Sequence, residues 1–97
     1  MMKIEDVKAM FDKVKKDVWF DIIEEDEDFG KILIIHVEDF AGFDKDYHEI
    51  FRDYDGKAID KILDKIKKMS EYISEGFGWY YKFEDFAVDV RYASEYI

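Results

Sequence analysis

At 97 residues, with 48% apolar and 19% aromatic residues, the chain has the size of one domain and the material for a small packed core. Its formal net charge of −10 is the reverse of the basic footprint of a nucleic-acid or anionic-membrane binder, and its lack of cysteine excludes disulfides and thiolate chemistry.

The chain opens with "MMKIEDVKAM", which lacks the apolar stretch of a signal peptide. Ile4, Val7, Phe11 and Val14, flanked by Met10, recur at the i, i+3, i+4, i+7 spacing of a helix buried on one face. Glu5 and Asp6 open that segment and Lys13, Lys15 and Lys16 close it, as the helix dipole prefers. "DVWFDIIE" is rich in β-branched and aromatic residues and reads as a strand. A run of five acids ending at Gly30 then serves as a hairpin connection. "KILIIHV" is apolar on both faces, which predicts an inner strand over residues 31–37. "EDFAGFDK", with Gly42, reads as the next connection, and "DYHEIFRDY" as a third strand.

Ile59, Ile62, Leu63, Ile66, Met69 and Ile73 form a second, longer helical stripe, with Asp55 as N-cap and Gly76 as a left-handed stop. In the tail, Phe86, Val88, Val90 and Tyr92 alternate at period two and predict one or two further strands. The order α-β-β-β-α-β(β) implies a single α+β domain over residues 1–97, an antiparallel sheet packed by two helices. Ile35 and Ile62 are expected in its core. No apolar run approaches the length of about 18 residues that a membrane span requires, and the expected location is cytoplasmic.

The charge is unevenly distributed. Residues 21–55 carry thirteen acids against three Lys/Arg, a net of −10. Residues 1–20 and 56–75 are each at +1, and residues 76–97 at −2. Solubility alone is served by spreading charge out. If extended, residues 24–28 hold five charges over roughly 17 Å, close to the phosphate spacing of about 3.4 Å along one DNA strand. The block reads either as a solvated loop or as a surface that attracts a basic partner. The candidate partner-binding acids are Glu24, Glu25, Asp26, Glu27, Asp28, Glu38, Asp39, Asp44, Asp46 and Glu49. Trp79, Tyr80 and Tyr81 are the candidate aromatic anchors, since three consecutive aromatics in a strand leave at least one facing away from the core.

Catalytic signals are few. Ser70, Ser74 and Ser94 lie outside any nucleophile elbow, and the five glycines form no phosphate loop. "DEDFGK" resembles the start of a calcium loop, but its glycine falls one place early and no glutamate closes it. His36 and Glu38 share a strand face, and with His48 across from them could bind zinc. The spacing fits no known site, so His36 reads as a partly buried strand residue and His48 as a surface one. No cofactor, metal or catalysis is expected.

The helix, three strands and helix over residues 4 to about 75, with acids loaded on the strand region, resemble the small acidic phage-encoded proteins that inhibit CRISPR nucleases, in particular those that mimic DNA. The resemblance is one of element order and composition. A third helix of that family has no counterpart here, where "FEDFAVDVRYAS" reads as strand. What the resemblance implies is a mode of action: carboxylates stand in for phosphates on a basic groove, without catalysis. Beside an inhibitor of a nucleic-acid-handling protein stand two other readings, an immunity protein or antitoxin that neutralises a basic toxin, and an accessory interaction domain.

Overall fold

The structure, a computed structural model, describes residues 1–75 and 78–96. Helix α1 (Ile4–Ala9) is followed by a 3-10 turn at Asp12–Val14. The helix is shorter than its apolar stripe. The tighter turn keeps Val14 in register below Phe11, so Val7, Phe11 and Val14 are all buried. Strands β1 (Val18–Asp26) and β2 (Gly30–Val37) form an antiparallel hairpin running from Val18 opposite Val37 to Asp26 opposite Gly30. Two further strands, β3 (Phe40–Phe43) and β4 (Glu49–Phe51), pair with each other in a separate two-stranded sheet. Helix α2 (Gly56–Met69) precedes β5 (Glu71–Glu75), β6 (Gly78–Lys82) and β7 (Ala87–Tyr92), and a 3-10 turn spans Ala93–Tyr96.

The main sheet has the order β1-β2-β7-β6-β5. It is a small α+β architecture, but the sheet is mixed rather than antiparallel as expected: β2 and β7 run parallel, Ile32 beside Ala87 through Val37 beside Tyr92. A parallel pair needs a long crossover, and here the β3–β4 hairpin, α2 and the β5–β6 hairpin all lie between the two strands in sequence. Strand β2 is the inner strand its two-sided apolar pattern predicts. Leu33, Ile35 and Val37 point to one face, where they meet Val7, Phe11, Ile59, Ile66 and Val88 in the main core. Ile32 and Ile34 point to the other, where they pack with Phe29, Ala87, Ile73 and Tyr80.

Three more expectations are corrected. Phe40–Phe43 is a strand, not a connection; Gly42, at φ +135°, sits at a register shift that lets the chain bend there. The expected third strand is reduced to Glu49–Phe51 and does not join the main sheet. Helix α2 is capped by Asp55, whose carboxylate accepts the Ala58 N–H at 3.2 Å, but ends at Met69. Ser70 is extended (φ −128°, ψ 168°), so Ile73 belongs to β5 and packs on the opposite face of the sheet. Ile62 lies on the margin of the core, while Ile59, Leu63 and Ile66 carry the buried face of α2. Gly76, read as the helix stop, lies outside the described residues. Among the described residues no helix is long and apolar enough to cross a membrane.

Candidate interaction surfaces

The acids of residues 24–28 do not form an extended row. The ladder shifts register between Ile23 and Asp26, so Glu24 and Glu25 share a bulge opposite Lys31. Glu24 faces the Lys31 ammonium at 3.6 Å. Asp26 turns inward, and its Oδ2 accepts the N–H groups of Asp28 at 3.0 Å and Phe29 at 2.9 Å. It therefore closes the turn that leads into Gly30 (φ +80°). Replacing Glu24, Glu25, Glu27 and Asp28 together by neutral isosteres is expected to leave stability unchanged or raised at low salt, because the repulsion removed outweighs the exposed Glu24–Lys31 pair. Asp26→Ala alone is expected to cost about 1 kcal/mol by orphaning two turn N–H groups. Urea melts at two salt concentrations check both, and a large loss in the fourfold variant would mean that those four acids hold specific contacts.

The other acids lie at the far end of β2, which at eight residues separates the two groups by about 25 Å. Asp39 was expected on the surface but is buried at 9% exposure; its carboxylate accepts the Ser94 N–H at 3.3 Å and hydroxyl at 3.1 Å. Glu38 is half-buried, accepts the Trp19 indole N–H and faces Arg52 at 4.0 Å. Arg52 also approaches Asp17, a fully buried carboxylate whose Oδ2 accepts the Asp55 N–H at 3.1 Å. Arg52 thus ties the end of β4 to the start of β1 and the cap of α2. Sequence reasoning missed Asp17, because "KKDVWF" looks like any solvated acid before a strand.

Asp44, Asp46 and Glu49 remain exposed on the β3–β4 hairpin. Asp44 organises its tip. Its Oδ1 accepts the N–H groups of Asp46 at 2.8 Å and His48 at 3.0 Å, and its Oδ2 lies 3.2 Å from His48 Nδ1. The backbone N–H of His48, above all, holds the Asp44 carboxyl below its ordinary value of 3.8. A depressed carboxylate contributes order above its unfolded pKa and loses it as pH falls through the folded value. The hairpin tip is therefore expected to stay ordered near pH 3.8 and to loosen only below it, which the amide shifts of Asp46 and His48 report; loss of both bonds above pH 4.5 would contradict this. Asp44, Asp46 and His48 also place one potential metal-ligand atom each within 4.8 Å of one another. All three are exposed, and the hydrogen bonds of the turn account for their closeness. His36 is elsewhere, stacked on Trp19 at 3.6 Å with Asp21 at 3.2 Å from its Nε2, so the two histidines do not combine.

The same hairpin exposes apolar side chains: Phe43 at 48%, Ile50 at 44%, Phe51 at 55% and Tyr47 at 85%. Tyr47 is the one non-glycine residue with positive φ, at 63°, among the described residues. A left-handed backbone costs an L-residue roughly 1–2 kcal/mol, so a solvent-facing tyrosine there is a locally unfavourable choice.

Of the three consecutive aromatics, Trp79 is exposed, at 61%, although it shares a strand face with Tyr81. Tyr80 packs on Phe29 at 4.9 Å between centroids, and Tyr81 packs against the main core. The ladder between β6 and β7 consists of Tyr81 opposite Val88 and Lys82 opposite Ala87. Beyond these pairs a cleft of about 240 Å³ opens, with Trp79, Tyr72, Tyr81 and Tyr92 among its walls. Burial, and after it the charge of Asp60, pushes the Tyr92 phenol up to about 12, with Asp39 and Glu95 adding to the effect. Comparison of the chain with protein-family models, with curated proteins and with solved structures found no match.

Proposed function

We propose that the protein is a non-catalytic acidic binding protein that engages a basic, nucleic-acid-handling protein. The observation that carries this reading is the β3–β4 hairpin. It pairs only with itself and shows Phe43, Tyr47, Ile50 and Phe51 to solvent between Asp44, Asp46 and Glu49. Exposed aromatics ringed by acids suit a partner that offers both apolar pockets and positive charge. Long-range attraction from a chain of net charge −10 speeds the encounter, and the apolar contacts slow dissociation. The bulge at Glu24 and Glu25 and the inward turn of Asp26 interrupt any phosphate-like row, so the reading rests on the hairpin rather than on the block of five acids. Inhibition by occupying a nucleic-acid groove is the specific form proposed.

The test combines capture of a partner at about 50 and 500 mM salt, regimes in which screening differs strongly, with competition by duplex DNA or RNA. Neutralising Asp46 and Glu49 is expected to lower the on-rate. Tyr47→Gly is expected to relieve the left-handed backbone while weakening binding. A partner held equally at both salts and indifferent to nucleic acid would reject the groove-occupying form. A partner indifferent to the hairpin variants would reject the surface.

A further inference from the structure

The cleft between β6 and β7 has a construction that the hairpin surfaces lack. Strand β6 pairs with β5 along its whole length, from Glu71 opposite Lys82 to Glu75 opposite Gly78. Its ladder to β7 is only two pairs long. The two strands therefore part beyond Tyr81 and Val88, and four aromatic side chains from three strands gather at the opening. Tyr72 and Tyr81 lie 5.5 Å apart at 49°, so their rings present faces in different directions. Trp79 stands at the mouth, 61% exposed. Aromatic faces carry the negative lobe of the ring quadrupole and attract cations placed over them, tryptophan best of all.

The charges around the cleft are of both signs, with the acids gathered on the side of Tyr92. Asp89, in its wall, already holds one guanidinium: Arg91 Nε donates to its Oδ2 at 2.8 Å. Asp39, Asp60 and Glu95 act on Tyr92 at another part of the wall, where they disfavour a second negative charge. Two groups oppose a cation there: Arg91, which neutralises Asp89, and Lys67 of α2, an exposed side chain that also lines the cleft.

We infer that this cleft is a binding site for a cationic side chain, an arginine or lysine of the basic partner, gripped between Trp79 and the tyrosines. The inference deepens the function proposed above and rests on it for the source of the side chain, but the cleft can be tested without any partner. The probe is N-acetyl-arginine amide, with N-acetyl-citrulline amide as its neutral isostere, titrated into the full chain. Binding is followed by the indole N–H signal of Trp79, with that of Trp19 as the internal control, and by titration calorimetry, which also serves the variants that lack Trp79.

The arginine probe is expected to move the Trp79 signal, and the citrulline probe to bind at least about threefold more weakly, the scale of an exposed cation–π contact. Trp79→Ala or Trp79→Leu, both at a solvent-facing position, should weaken the arginine probe by about tenfold. Lys67→Met should tighten it, because it removes a like charge. Equal binding of both probes would make the cleft a neutral pocket, and arginine binding that fails to tighten after Lys67→Met would show that the charge of the probe is not felt there; either overturns the inference. So does an unmoved Trp79 signal at about 100 mM probe, far above the concentration at which a site of millimolar affinity fills. A cleft that takes arginine while no salt-sensitive partner is captured would remove the proposed function and leave the site. A captured partner with a silent cleft would do the reverse.

Discussion

Arg52→Met is expected to destabilise the fold by about 3 kcal/mol, the low end for breaking a buried ion pair. Asp17 is fully buried, and its Oδ1 makes no hydrogen bond, so the Arg52 guanidinium at 3.8 Å is the group that compensates that oxygen. The low end applies because the contact is long and the Arg52 side chain is 34% exposed. Most of the cost comes from leaving a buried carboxylate without its counter-charge. Adding Asp17→Asn should therefore recover part of the loss: asparagine keeps an oxygen for the Asp55 N–H but carries no charge. A coupling of about 2 kcal/mol in the double-mutant cycle is expected. Urea melts of the four proteins check it, and strictly additive losses would show that Arg52 acts through packing alone.

Ile35→Ala is expected to cost about 2–5 kcal/mol, the range for deleting a large side chain from a packed core. Ile35 is fully buried at the centre of β2, between Phe20 of β1 and Val90 of β7 in the ladder, and faces the main core. Ile62→Ala, at the margin of the core, is expected to cost about 1–2 kcal/mol, because a partly buried site loses less transfer energy and can relax. Denaturant unfolding of the two variants should rank them in that order. A loss below about 0.5 kcal/mol for Ile35→Ala would mean the core lies elsewhere.

The elements whose signals are local were legible in the sequence. "KILIIHV" announced a strand covered on both faces, and Asp55 announced the start of α2. The boundary at Met69 was hidden because Ile73 falls four residues after Met69, and apolar residues at that spacing look the same whether they continue a helix or begin a strand. The hydroxyl of Ser70, which bonds the Ile66 carbonyl at 2.6 Å, marks the end only once the structure is known. Parallel pairing of β2 with β7 has no local signature at all, because it joins segments far apart in the chain. The acids show the same limit. Their density in residues 21–55 was plain, but strand β2 carries half of them to each end of the sheet, and burial withdraws Asp39. Of the aromatics, alternation sets Trp79 and Tyr81 on one face and Tyr80 on the other; that Tyr81 packs on the main core while Trp79 stays exposed depends on how far the core extends along that face, which has no local signature.

The parallel ladder has a consequence for how the chain acquires its structure. Strand β2 takes its second neighbour from Ala87–Tyr92, so during synthesis from the N-terminus the β1–β2 hairpin precedes the strand that covers its inner edge. Until then Ile32, Ile34 and Ile35 sit on an open edge able to pair with the wrong chain. Ordering that much intervening chain before the central contact forms raises the loop-closure entropy and slows folding. Repulsion between hairpins bearing Asp21, Glu24, Glu25, Glu27 and Asp28 opposes their association in that interval. The same carboxylates that crowd the β1–β2 turn thereby act as a kinetic safeguard for a nascent chain, whatever they meet once folding is complete.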